Sequence, residues 1–249
     1  MANNTVNPNC ISPVATKILQ LVPVTPSNTI TTLSASPSGN DLGMGRIDWL
    51  KSPKHSLFGH FYTERNDSSN AIARGNIPNF EGVNSNEETD MVTANDTYTF
   101  SPTPLNQAVI SYLRTTSAVL NTKTFPPLDY GIDMPQYPTN GSFSLSVSGL
   151  FNPGSAGFNQ FFNDNYQFRD GVSRTRGRHN FKVGSEVLRL HFIQRFLGGP
   201  GFSFRGGRSG NAMANFLLGT FSELDVVSGS ATTTTSIRLQ AFISRMSSK

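Results

Sequence analysis

Charge is scarce in this chain: Asp, Glu, Lys and Arg make up 14% of its 249 residues, well under the roughly 25% usual in soluble domains. Lys plus Arg outnumber Asp plus Glu by 20 to 16, and only residues 174–178 gather positive charge. A nucleic-acid surface needs a basic stripe with stacking aromatics. None is present, so no nucleic-acid partner is expected. Cysteine occurs once, at Cys10, which excludes an intrachain disulfide and a Cys-x-x-Cys metal knuckle. No histidine lies near it in sequence, so Cys10 reads as an incidental loop thiol. Long apolar runs are missing too. The one at Phe216-Leu217-Leu218 is far short of the ~20 residues of a membrane helix, which excludes a helical membrane protein. Residues 1–10 are polar and lack the apolar core of a signal peptide, so an exported product would have to belong to a longer chain.

What the sequence has instead is Phe, Gly, Asn, Ser and Thr, a composition of strands and turns. From residue 42 it falls into segments of about ten residues in which apolar and polar side chains alternate. The connections between them are by turns short and long, the weak signature of a membrane barrel. In 42–51, Gly45, Ile47 and Trp49 share one face and Arg46 and Asp48 the other, as period-two geometry requires. Ser52-Pro53-Lys54-His55 forms a tight turn. The return segment 56–64 sets Leu57, Gly59 and Phe61 against His60 and Glu64, with Phe58 and Tyr62 on the polar side. Residues 65–89 read as a long exposed loop. Segment 90–101 then carries Val92, Ala94, Tyr98 and Phe100 on one face, interrupted by Asp96. Pro102 and Pro104 make a short turn before a strand at 107–116. Residues 117–159 are irregular, apart from a possible strand within 141–150. The clearest hairpin is 164–192, with Tyr166, Phe168 and Val172 opposite Gln167 and Arg169, a turn at 176–179, and Phe181, Val183 and Val187 opposite Lys182 and Glu186. Two short helices are expected, at 12–22, with Pro13 at its first position, and at 211–218.

No chemistry-bearing constellation stands out. His55 and His179 fall in predicted short turns, and neither they nor His60 and His191 form a His-Glu-x-x-His or His/Cys pair. Glu87, Glu88 and Asp90 sit at a loop edge with no opposing acid. The glycine-rich stretch 198–210 lacks the Lys-Ser or Lys-Thr of a phosphate loop and reads as a flexible loop. No catalytic, cofactor-binding or metal-binding residue is assigned, and an enzyme is not expected. Alternation alone suits a soluble secreted β-sandwich used for adhesion or carbohydrate binding as well as a barrel.

Four segments in order carry a more specific signal: ISPVATKILQLVP at 11–23, GRIDWLKSPKHSLFGHFY at 45–62, NDNYQFRDGVSRTRGRHNFKVGSEVLRL at 163–190 and SGNAMANFLLG at 209–219. Together they resemble the barrel of Oar-like TonB-dependent receptors, in which a carboxypeptidase-regulatory-like domain and a plug precede the barrel. The resemblance implies an all-β fold, a fragment of a large antiparallel transmembrane β-barrel with some six or seven strands, long extracellular loops and two short helices. Residues 1–41 would be a loop with a short helix and 42–249 barrel strands and loops, with no plug, regulatory-like domain or TonB box. The ending 241–249 does not resemble the next strand of that family. The implied role is uptake or surface binding of an unidentified small or oligomeric ligand at the cell outer membrane. Outer-membrane lipid would surround the wall, and TonB and the plug would act only in a full-length relative. Ligand contacts are expected in the loops 65–89, 117–159 and 193–235, not in the turns. Cut from a larger barrel, the chain is expected to be poorly soluble, because its open strand edges leave backbone groups unpaired.

Overall fold

The computed structural model describes residues 5–27, 29, 31, 33, 35–70, 82–122, 125–134, 142–154, 157–226 and 230–247. Seven long strands form one antiparallel sheet, the wall: β1 (Ser38–Ser52), β2 (His55–Asn70), β3 (Val83–Thr99), β4 (Pro104–Asn121), β7 (Gly157–Arg176), β8 (His179–Gly198) and β11 (Ser230–Ser247), in the order β1-β2-β3-β4-β7-β8-β11. Each is paired with its neighbour nearly end to end. β1 and β11 are the two edges of this order, so the wall is an open arc. The turns at 53–54, 100–103 and 177–178 lie at one end. The last places Gly177 at φ 58°, a left-handed conformation that glycine reaches without a Cβ penalty.

The second sheet is built wholly from the long connections at the opposite end. β5 (Ser144–Val147) and β6 (Phe151–Gly154) come from the β4–β7 connection, β9 (Pro200–Phe204) and β10 (Glu223–Val226) from the β8–β11 connection, in the order β10-β9-β5-β6. β5 and β9 pair in parallel and the other two pairs are antiparallel. Helix α2 (Ala212–Leu217) packs on this sheet, and α1 (Pro13–Leu19), before the first wall strand, packs on α2 and adds Ala15 and Ile18 to the shared apolar cluster. Proline at the first turn opens α1, and the Asn211 side-chain oxygen Oδ1 caps α2 by accepting from the Ala214 amide at 3.1 Å. The main apolar cluster of the molecule is here, formed by Ala15, Ile18, Phe143, Leu145, Val147, Phe151, Phe204 and Phe216.

The wall strands are longer than their alternation predicts. The segments read as loops at 65–89, 117–159 and 193–235 are strand over 65–70, 83–89, 117–121, 157–159, 193–198 and 230–235, and residues 71–81 at the tip of the first lie outside the described residues. At 65–70, 83–89 and 230–235 the strand ends are rich in Asn, Ser and Thr on both faces, so the ladder continues where no side-chain pattern marks it. For the same reason the start of β11, with its run Thr232-Thr233-Thr234-Thr235, reads as loop in sequence. Residues 200–204 are a strand with Phe204 buried, not a flexible loop. His55 and His179 open β2 and β8 instead of sitting in turns.

Among the described residues no second sheet covers the wall, and the four-stranded sheet packs on its own helices. This arrangement is not a sandwich, whose two sheets bury a shared core.

Candidate functional site

Cross-strand pairing sorts every wall side chain onto one of two faces. One row joins Ile47, Gly59, Ala94, Ile110, Phe168, Val187 and Leu239. The next row inward from it on the other face joins Asp48, Phe58, Asn95, Val109, Arg169, Glu186 and Gln240. The first face, here the outer one, carries Tyr166, Phe168, Val172, Phe181 and Val183, with Lys182 and Glu186 on the inner face, as the alternation predicts. Along 181–186 of β8 the outer residues are exposed and the inner ones half-buried, as in a sheet curved toward its inner face.

The outer face is banded. Apolar side chains occupy its middle: Ile110 is 60% exposed and Phe168 49%, although neither touches a core. Aromatics flank them. Tyr112 and Tyr166 stack at 4.9 Å toward the long-loop end, and Trp49, Tyr98, Phe100 and Phe181 lie toward the turns. Beyond Tyr112 and Tyr166 comes a charged belt, in which Arg65 meets Asp90 at 3.0 Å and Arg114 meets Asp164 at 3.9 Å. From Arg174 to Asp164 on β7 the band covers ten residue steps, about 33 Å along the strand. At a barrel tilt of about 40° this gives a height of about 25 Å, which matches the apolar band of outer-membrane barrels. Asp96 and Asp170, in one row, do interrupt the band; the Asp96 carboxylate is met by His55 Nε2 at 2.7 Å, and the Asp170 carboxylate accepts from the Asn106 side-chain amide at 2.7 Å. Between Ile47, Trp49, Ile110 and Phe168, the small residues Gly59, Ala94 and Ala108 leave a shallow apolar groove of about 400 Å³.

The inner face is largely polar and hydrogen-bonded, with Leu113, Leu188, Leu190 and Phe192 also on it. Thr93 and Ser111 hydroxyls meet at 2.9 Å, and Asn95, 5% exposed, accepts from the Thr97 hydroxyl at 3.0 Å. Near the turn end Phe242 lies over Gly171 and Gly184, with the Arg169 guanidinium 5.0 Å and the Lys182 ammonium 5.8 Å from its ring centre. The glycines are required by this close approach. A Cβ at Gly184 would stand 2.5 Å from the Phe242 ring and collide with the Asp170 carbonyl oxygen. These cations, with Gln107 and Val109, line a cleft of about 230 Å³. The sequence shows alternation here but not this cleft, because Phe242 comes from a strand whose pairing is not written in its composition.

The loop module is closely packed where loops are usually loose. Phe216, 2% exposed, meets Phe151 and Phe204 edge-on, each at 5.3 Å. Asn215, 1% exposed, donates to the Arg205 carbonyl oxygen. The Ser12 amide donates to the Leu217 carbonyl oxygen at 2.8 Å, and Lys17 to that of Asp129 at 3.0 Å, so three distant stretches of chain are tied together. Burial pushes the Tyr130 phenol above its ordinary pKa, and Asp129 beside it adds to the shift.

The polar residues weighed in sequence do not converge. Glu87 lies on the inner face of β3, whereas Glu88 and Asp90 lie on the outer face and Asp90 is engaged by Arg65. Cys10 is exposed in a short 3-10 turn. His60 stacks beside Phe58 on the inner face. Among the described residues no group of three or more His, Cys, Asp or Glu side chains could hold a metal ion, and no helix is long and apolar enough to cross a membrane, which says nothing of crossing by strands.

No curated protein and no solved structure matches the chain. A family model, that of the outer membrane beta barrel domain, matches residues 1–244. A banded outer face, a polar inner face and turns of unequal length at the two ends are what that family requires of a wall in the outer membrane, and the chain belongs to the outer membrane beta barrel domain family.

Proposed function

We propose that this chain supplies an arc of the wall and the extracellular loop module of a TonB-dependent-receptor-like protein, taking up or holding at the cell surface a small or oligomeric ligand. The observation that carries the reading is the loop module. Two long connections, with the helix that precedes the first strand, fold around a shared aromatic core at the end opposite the short turns. Loops hold recognition best when a scaffold fixes them, and here they fix one another. The polar inner face suits the passage of a solute. In a full-length relative, energy would reach the ligand through TonB acting on a plug, with the barrel as a passive selective wall. Strands beyond β1 and β11 would satisfy the edges that a bilayer cannot. No catalytic step is assigned to the chain.

The test compares cells with and without the protein, each with and without a functional TonB, for clearance of candidate oligosaccharides, peptides and chelates from the medium. Uptake requires both the protein and TonB. Surface binding requires the protein alone and should weaken when the loop at 71–82 is deleted, with heat-modifiable migration unchanged. Equal clearance by all four strains would overturn the receptor reading.

A further inference from the structure

The inner face near the short turns carries positive charge that the wall leaves unanswered. On β1 and β2 inner-face charge is met within the sheet: Arg46 pairs with Asp48 at 2.6 Å, and Glu64 accepts from the Asn40 side-chain amide at 2.8 Å. On β7 and β8 it is not. Arg169 and Lys182 form no ion pair among the described residues, not even with Glu186, which shares the row of Arg169. Register sets the two cations on either side of Phe242, Arg169 in the next inner row toward the loop module and Lys182 in the next toward the turn. Phe242 itself reaches from β11 over Gly184 to Gly171, and its ring closes one side of the cleft. Residues 171–185 hold Arg174, Arg176, Arg178 and Lys182 and no acidic residue. The three arginines at the turn are exposed, so this end of the sector is positive from the cleft outward.

We propose that this cleft is a subsite for the anionic group of a solute crossing the lumen, a carboxylate or phosphate on one ring-sized unit, its oxygens held by Arg169 and Lys182. The proposal rests on the reading of the inner face as the wall of a solute path and adds to it the charge of the solute. The Arg169 guanidinium offers a planar fork to either oxyanion, and the Lys182 ammonium a compact point charge. Gln107 brings a neutral amide to the same cleft, while Val109 and the Phe242 ring give the solute apolar contact. A cleft of about 230 Å³ has the room of about eight water molecules, enough for one ring and its anionic group but not for an oligomer. Its place sets the order of events. A solute entering past the loop module meets the cleft last, beside a turn whose charge has one sign, and such a run of cations draws an anion onward.

The test uses the protein purified from outer membranes in mild detergent, with a fluorinated phenylalanine in place of Phe242 and its fluorine resonance as the readout. The probes are glucuronate, glucose 1-phosphate and glucose at equal ionic strength. The two anions should shift the resonance saturably and glucose should not; saturation by one anion alone supports the subsite and identifies its oxyanion. The half-saturation concentration should rise about tenfold in Lys182→Gln and in Arg169→Gln, the scale of one charge-assisted hydrogen bond. It should change little in Lys182→Arg, which keeps the charge. It should fall in Glu186→Gln, which removes a negative charge beside the site and would not tighten binding if these residues only held the sheet together. Heat-modifiable migration confirms insertion, and Lys182→Gln carries the test if Arg169→Gln does not insert. Equal shifts with glucose, no saturation by either anion, or an unchanged titration in Lys182→Gln would each overturn the proposal. The measurement involves neither TonB nor transport. Anion binding by a protein that fails the clearance test overturns the receptor reading alone, and TonB-dependent clearance without anion binding overturns this subsite alone.

Discussion

The wall and the loop module are stabilised by opposite means. Among the described residues, buried apolar side chains are almost confined to the module, with Val83 the only buried hydrophobic on a wall strand. The module excludes water from its own interior, as soluble domains do. The wall instead is held by six cross-strand pairings, and among the described residues nothing of the protein lies against its apolar face, so its stability depends on lipid to cover that face and on the ladder to satisfy every backbone group. A single polypeptide therefore contains one region that carries its solvent inside and one that needs a particular solvent outside.

The sharpest way to break the comparison is at Phe216. Truncation to alanine in a core closed by Phe151 and Phe204 should cost about 3–5 kcal/mol, yet the loss should be confined to the module. Limited proteolysis in 122–156 and 199–229 should accelerate while heat-modifiable migration stays intact. Loss of migration would mean that the module also holds the wall together. Next in size is the contrast between Phe168→Arg and Gln167→Arg, neighbours on opposite faces. The first should lower insertion stability in bilayers by about 2–4 kcal/mol, the second hardly at all. Equal effects would erase the distinction between the faces.

Gly184→Ala tests whether the wall has close packing of its own. The added Cβ meets the Phe242 ring and the Asp170 carbonyl oxygen, and overpacking of this kind costs about 1–3 kcal/mol. Gly171→Ala, where the nearest ring atom would be 3.3 Å away, should cost less; the reverse order in urea titrations of the inserted protein would refute the stacking. The smallest expected effect is that of Thr93→Val, which removes one of two hydroxyls bonded across the inner face at 2.9 Å. A cost of about 1 kcal/mol or less is expected in the same titrations, and a larger one would make the inner face a structural network instead of a solvated lining.

How far the sequence could be read differs between the two regions for the same physical reason. Where lipid lies on one side and water on the other, a strand must alternate, and Ile47 with Trp49 or Phe181 with Val183 declare their face directly. Beyond the band both faces meet water, so Asn84, Ser85 and Asn86 of β3, or the threonines of β11, carry no such mark and read as loop. In the module the helices were legible from Pro13 and Asn211. Of the strands only β5 was, as the segment read within 141–150; β6, β9 and β10 were not, because Phe151, Phe204 and their partners come from connections far apart in sequence, and β5 and β9 pair in parallel across more than fifty residues.

The sequence by itself determined the class of element, the two faces of the central wall and the ends at which connections are long or short, because each follows from local geometry and from which solvent a side chain meets. Only the tertiary structure decided that the long connections share one core and that Phe242 lies over Gly171 and Gly184. Each depends on which strands become neighbours, and that is set by pairing over the whole ladder, a property that no single segment contains.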